Sequence, residues 1–291
     1  MRRTGIRRIL EAAAAVTATI GVLIAAGCGA TGSATDADGN KIIKVSISGT
    51  SFEPVWKLVN ENLKKEKAGL QVKTVSVEKG IYGNQALSQG EVDLSAQQNY
   101  AFLNGEIKEK GYKFTPIAET IISPLNIFSD TISSVADVKD GDKVLIPNDP
   151  VNIGRALEVL QDAKLITIDP AKDDPAKGLY PHEDDITSNP KHLNITPVDK
   201  NMVMPSLKDA AIGIANADAV VDYGKNPVTD AIYAVEPDPK NPQNKPWINV
   251  IVARTEDKDN PDYRKIITAY HQDNVKQLIN TLFKGGNIPV W

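Results

Sequence analysis

The stretch "LIPNDPVNIGRALEVL" (Leu145–Leu160) joins an apolar strand to an amphipathic helix through Asn-Asp-Pro. Proline and the small polar residues before it stop the strand, and the apolar residues that follow recur at helical spacing. The helix is expected to open at Asn152, with Arg155 in its first turn. A helix opening is electropositive, because its first N–H groups lack intrahelical partners and its macrodipole directs positive charge outward. A guanidinium added there makes a site for a carboxylate or a phosphate. The alternative for a single arginine is a surface ion pair. Its place in the fold decides between the two.

Outward from this stretch the chain alternates short β-branched runs with amphipathic helices, the pattern of parallel sheets flanked by helices. "KIIKVSI" reads as a strand. The helix after it is predicted to start on a Thr50/Glu53 capping box, with Val55, Leu58, Val59 and Leu63 along one face. "LQVKTVSV" and "EVDLSAQ" are further strands, with "NQALSQG" a short helix and "YAFLNGEIKEKG" a helix ended by glycine. The alternation restarts at "DKVLIPND", followed by the Arg155 helix and the strand "LNITPV". "MPSLKDAAIGIANADAVV" is read as a helix followed by a strand. "INVIVAR" is a strand and Pro261 to Lys284 a final helical region. The fold class is therefore α/β, with two lobes, a cleft between them, and crossings near Ser123 to Phe128 and near Trp247 to Val250. Ligands of open α/β sheets sit outside the carboxyl ends of the strands. Arg155 and the segment Ser48 to Ser51 both follow strands at such ends.

The N-terminus begins with four arginines and a small, apolar run from Ala12 to Gly27 that stops at the single cysteine, Cys28. The run is short for a membrane span, which needs about 20 apolar residues, and fits the core of a secretory signal. "IAAGC" resembles the bacterial lipobox, which implies a lipidated (palmitate-bearing) Cys28 on an extracytoplasmic protein anchored to the cell membrane. A chain otherwise free of cysteine suits an exported protein without disulfides. "CGATGSATDADGN" (28–40) is small and polar, a tether with a root-mean-square reach of about 20 Å. Without the four arginines and Glu11 that precede Cys28, the net charge is about −7. No basic run sits among aromatics, which argues against nucleic acid as a partner.

With these segments in place, the chain resembles the NlpA-type substrate-binding lipoproteins of methionine-uptake ABC transporters, from Lys41 to about Pro289. "IPNDPVNIGRALEVLQDAKLI" resembles the family's "IPNDPTNxGRALxLLQxAGLI" almost residue for residue. "NQALSQGEVDLS", "EDDITSNPKHL", "ADAVV" and "INVIVARTEDKDNP" follow in the family's order. The resemblance implies a two-lobe, type II periplasmic-binding-protein-like fold that closes on an amino acid or short peptide and delivers it to an ABC permease with its ATPase. It implies that Arg155 holds the ligand carboxylate and that Asn249 lines the cleft. Asn152 falls on a family asparagine that caps the helix or donates to the ligand, capping being favoured. The implied segments are a signal peptide (1–27), lipidated cysteine and tether (28–40), a first lobe (41–124 plus 248–291) and a second lobe (125–247), acting as a monomer.

The departures fall on the side-chain pocket. Where methionine binders carry "NFFQHVPYL", this chain has "SAQQNYAFL", so Ala96, Gln97 and Asn99 replace Phe, Phe and His. A family tyrosine falls on Gly80, with Tyr82 two residues away. The family's "INGNY" is matched to "DYGKN", which puts Tyr223 at a ligand-contacting position with Asp222 and Lys225 beside it. Asp222 is a candidate acceptor for an α-ammonium group, which cannot be buried unpaired.

Other chemistries find little support. His182, His192 and His271 are scattered over loops and the last helical region, without metal-ligand spacing, and are expected on the surface. "HEDD" lacks the glycine and alternating oxygens of a calcium loop. No nucleophile stands with a base, so no enzyme, metal or cofactor is expected. The expected function is an extracytoplasmic solute-binding lipoprotein for methionine, a more polar amino acid or a short peptide. The alternative is a surface lipoprotein of the same fold acting as an adhesin or sensor.

Overall fold

The structure, a computed structural model, describes residues 34–77, 80–235 and 238–291. The signal segment, Cys28 and the first part of the tether lie outside the described residues. The first sheet is built from β1 (Lys41–Ser48), β2 (Leu70–Val77), β3 (Leu94–Asn99), β4 (Phe114–Ile122), β11 (Ile248–Arg254) and β12 (Ile288–Pro289), in the order β12-β4-β11-β3-β1-β2. The second contains β5 (Leu125–Phe128), β6 (Lys143–Pro147), β9 (Asn194–Val198) and β10 (Ile212–Asn216), in the order β5-β10-β6-β9. A small pair, β7 (Thr167–Ile168) and β8 (Ile186–Ser188), stands beside it.

The sheets are mixed where a parallel pattern was expected. β3-β1-β2 and β10-β6-β9 are parallel, as helical crossovers require. β4, β5, β11 and β12 pair antiparallel; the chain passes between the sheets from β4 to β5 and from β10 to β11, and β12 returns to the first sheet after α7.

Among the described residues, the two largest apolar clusters lie one on each sheet. Helix α1 (Glu53–Lys65) buries Val55, Val59 and Leu63 against β1, with α6 (Pro261–Tyr270) and α7 (Asp273–Leu282) on the same side. The Thr50/Glu53 capping box does not form. Phe52 takes the N-cap position with no side-chain cap, since its ring packs 4.6 Å from Phe283 and that contact outweighs a hydroxyl cap. α2 (Gly80–Ser88) and α3 (Tyr100–Lys110) flank β3, and α3 ends at Gly111 with φ +71°, the left-handed cap that glycine supplies. In the second core α4 (Pro150–Asp162) packs Ile153, Ala156, Leu157 and Leu160 against Ile127, Ile146 and Ile214.

After Met204 a strand precedes the helix, the reverse of the expected order. "IGIAN" is the strand β10 and "ADAVVD" the helix α5 (Ala217–Asp222). β10 is central and buried on both faces, so it lacks the alternation of a half-exposed strand, and its alanines imitate a helix. Gly213 belongs to this packing, because a Cβ there would stand 2.8 Å from Leu207 and 2.9 Å from Val203.

Candidate functional site

The parallel strands of both sheets end at one cavity of about 320 Å³. Ser48 closes β1, Gln97 and Asn99 close β3, and Asn148 and Asp149 follow β6. Lys200 follows β9, while Asn216 and Asp218 stand at the end of β10 and the start of α5. Asn249 enters from β11, and Phe52, Trp56, Phe102 and Tyr270 add aromatic wall. The volume suits a molecule of amino-acid size, at the low end of small-ligand pockets of about 300 to 1,000 Å³.

Arg155 is 7% exposed and does not form a surface ion pair. Its Nη2 donates to the carbonyl of Ser123 at 2.6 Å, and Nη1 donates to Asn152 Oδ1 at 3.2 Å. The guanidinium lies 4.9 Å from the Trp247 ring centroid, and Tyr180 packs on Trp247 at 5.6 Å. Gly154 lets that layer approach, since a Cβ there would meet Tyr180 Cβ at 2.9 Å. Burial lowers the Arg155 pKa to about 10, opposed by the charges of Glu158, Asp149 and Asp218, so the group stays a cation at neutral pH. A guanidinium has more donors than these two bonds use, and the remainder are available to an anion.

The helix carrying Arg155 begins two residues earlier than expected, at Pro150, so Arg155 lies in its second turn, and Asp149 caps it by accepting from the Asn152 N–H at 3.0 Å. Asn152 is therefore not the cap. Its Nδ2 donates to Asp149 Oδ2 at 2.8 Å while its Oδ1 holds Arg155, so it orients the guanidinium. Across the cavity Lys200 Nζ lies 3.0 Å from Ser48 Oγ and 3.4 Å from Asp218 Oδ2. The Asp218 charge raises the Lys200 pKa against the effect of burial.

The amides of β3 divide by role. Gln98 closes on Asn84 through two reciprocal bonds of 2.6 and 2.8 Å and has little left for a solute. Asn99 Oδ1 caps α3 through the Phe102 N–H. Gln97 donates to the Gly80 carbonyl, leaving its buried Oε1 without a partner. It lies so close over α2 that a Cβ on Gly83 would sit 1.6 Å from its Nε2.

The structure thus brings Arg155, Asn152, Asn249, Gln97 and Asn99 to one cavity. It does not bring Tyr82, Tyr223 or Asp222 there. Tyr82 and Tyr223 are 49% and 45% exposed. Asp222 Oδ2 approaches the turn after β1, near Gly49, and Lys225 pairs with Asp130. Tyr223 follows the end of a helix and not of a strand. The strand end lies at Asn216, and reading "IGIAN" as β10 would have pointed to Asn216 and Asp218. Lys200 and the aromatic wall carried no comparable signal.

The histidines supply no metal site, and among the described residues no group of His, Cys, Asp and Glu side chains could hold a metal ion. Asp185 accepts from the His182 N–H, closing "HEDD" as a short 3₁₀ turn. His271 is not a surface residue as expected, since its ring stacks on Trp291 and its Nε2 meets the Glu119 carbonyl at 2.8 Å.

The model of the family described as NlpA lipoprotein matches residues 43–291. The chain belongs to the NlpA lipoprotein family. It is 36% identical over 280 residues to the D-methionine-binding lipoprotein MetQ of Salmonella typhimurium, covering 96% of this chain and 97% of that one. Among solved structures, this NlpA-family protein is similar to PG110 of Staphylococcus aureus (35% identity, TM-score 0.77, 85% of this chain and 94% of the other). It is also similar to a nutrient binding protein of Burkholderia cenocepacia bound to methionine (32% identity, TM-score 0.79, 86% and 100%). The two-lobe α/β fold is that of substrate-binding proteins, and the role of this NlpA-family protein is solute binding, not catalysis. Among the described residues no helix is long and apolar enough to cross a membrane.

Proposed function

We propose that this protein is an extracytoplasmic receptor, anchored through Cys28, that closes on an amino acid or short peptide and hands it to the permease of an ABC importer. The observation that carries the reading is the buried Arg155 cation, oriented by Asn152 and Ser123, with donors free on the cavity side. An arginine held in this way is complementary to a carboxylate. Asn216, whose Oδ1 is buried without a partner, and Asp218, rather than Asp222, supply acceptors for an α-ammonium group. Cavity size and paired charge thus favour a zwitterion. Asn249 lines the same cavity and is assigned a place in the wall around the solute.

The side-chain end is mixed. Phe52, Trp56 and Phe102 offer apolar contact, which suits the methionine named for relatives, while Gln97 Oε1 calls for a donor. An amide oxygen buried against a thioether would stay unsatisfied, at a cost of about 1 to 3 kcal/mol. The reading is therefore a polar amino acid or short peptide in preference to methionine. Denaturing the purified protein and identifying the released molecule by mass spectrometry, followed by calorimetry with common amino acids, their D-enantiomers and dipeptides, tests it. Methionine binding more than about tenfold tighter than every polar ligand would overturn the preference. Absence of any bound small solute would favour the adhesin or sensor role.

A further inference from the structure

The C-terminal arm brings one more polar group to the cavity. After α7 the chain turns at Lys284 (φ +49°) and Gly285 (φ +81°), then presses Gly286 so closely on Pro227 that a Cβ would stand 2.3 Å from its ring. β12 follows and pairs antiparallel with β4, Ile288 opposite Ile122. Continuing that register by one residue sets Asn287 opposite Ser123, whose carbonyl holds Arg155. Asn287 is 0% exposed and borders the cavity, yet neither its Nδ2 nor its Oδ1 has a hydrogen-bond partner. Ser123 Oγ beside it is also buried and unpartnered.

A fully buried carboxamide with both ends unsatisfied is costly unless a ligand supplies a donor and an acceptor together. A second amide does so, as the reciprocal Asn84–Gln98 pair of this same protein demonstrates. We infer that Asn287, with Ser123, is a specificity-determining residue that reads an amide group of the solute close to its Arg155-bound carboxylate. The inference rests on the solute-binding reading above and narrows it to amide-bearing, carboxylate-terminated solutes. The amide can be a side-chain carboxamide or a peptide bond.

Calorimetry of the full chain, freed of bound solute, with L-glutamine, L-asparagine, glycyl-L-alanine and L-methionine separates these sources. At least one amide-bearing probe is expected to bind about tenfold or more tightly than methionine, with the amino-acid arms marking a side-chain amide and the dipeptide arm a peptide bond. Asn287→Leu, which keeps the branched shape and removes both polar atoms, should weaken that probe by about ten- to a hundredfold and leave methionine within about threefold. Ser123→Ala should erode the same preference more weakly, and it tests the inference if Asn287→Leu does not fold. Methionine preferred by the parent protein, or an amide preference untouched by both substitutions, would overturn the inference while leaving the solute-binding reading standing. Failure of all four probes to bind would overturn the inference and count against that reading as well.

Discussion

Lys200 Nζ lies 3.0 Å from Ser48 Oγ, joining the segment after β9 in the second sheet to the end of β1 in the first. The same ammonium sits 3.4 Å from Asp218 Oδ2 within its own half. A cation bonded to both walls of a cleft favours the closed arrangement over one in which the walls part. Lys200→Met, which keeps the stem and removes the charge, is expected to enlarge the solute-free protein in small-angle X-ray scattering and to weaken solute binding by about three- to thirtyfold. Unchanged dimensions and affinity would leave this contact without a role in closure.

Arg155→Ala removes the cation proposed to meet the carboxylate. Truncating one partner of a buried charge pair costs about 2 to 5 kcal/mol, so binding should weaken by roughly 30-fold to several thousand-fold. Asn152→Ala leaves the cation in place and loosens its orientation, so a smaller loss is expected, about three- to thirtyfold. Calorimetry with an identified solute measures both. Equal losses would mean that Asn152 contacts the solute itself.

Asp149 supports the same helix in a different way, since it accepts from the N–H of Asn152 as the N-cap of α4. Asp149→Ala should lower stability by about 0.5 to 2 kcal/mol in denaturant titration. A melt indistinguishable from the parent would show that packing of the α4 apolar face alone fixes where the helix begins.

Glu158 lies one helical turn beyond Arg155, with a buried Oε1 that has no partner. Burial, reinforced by the Asp173 charge and opposed by Arg155, raises its pKa from 4.5 to about 8. The folded state therefore holds a proton that the unfolded chain releases near its ordinary pKa, and stability falls as pH rises between those two values. Below that window both states are protonated and the penalty vanishes. Glu158→Gln mimics the protonated form, so its melting temperature should exceed the parent's near pH 8.5 and match it near about pH 4.5. A constant difference across this range would place the Glu158 pKa near its ordinary value.

Cys28 is the proposed lipid anchor. Cys28→Ser is expected to release the protein from the membrane fraction, because acyl chains and not the folded part would hold it there. A variant that stays as membrane-bound as the parent would place the anchor elsewhere.

Much of the fold was legible along the chain because it rests on short-range causes. The apolar spacing of Val55, Val59 and Leu63 is the buried face of α1, and Gly111 stops α3 because glycine tolerates the left-handed turn there. The "NDPVNIGRAL" stretch places Arg155 at a strand end through local turn and helix chemistry alone. Other assignments depended on which surfaces meet. β10 is covered on both faces, so its exposed-to-buried alternation, and with it the place of Asn216 and Asp218, was absent from the sequence. Gln98 and Asn99 lie next to Gln97 in the chain, yet contacts with Asn84 and the Phe102 N–H commit their amide oxygens and leave only Gln97 Oε1 open. Asn287 is the extreme case. It stands 164 residues from Ser123 in the chain, and only the pairing of β12 with β4 sets the two side by side, because a strand's partner is chosen by the packing of the whole sheet and not by its own residues.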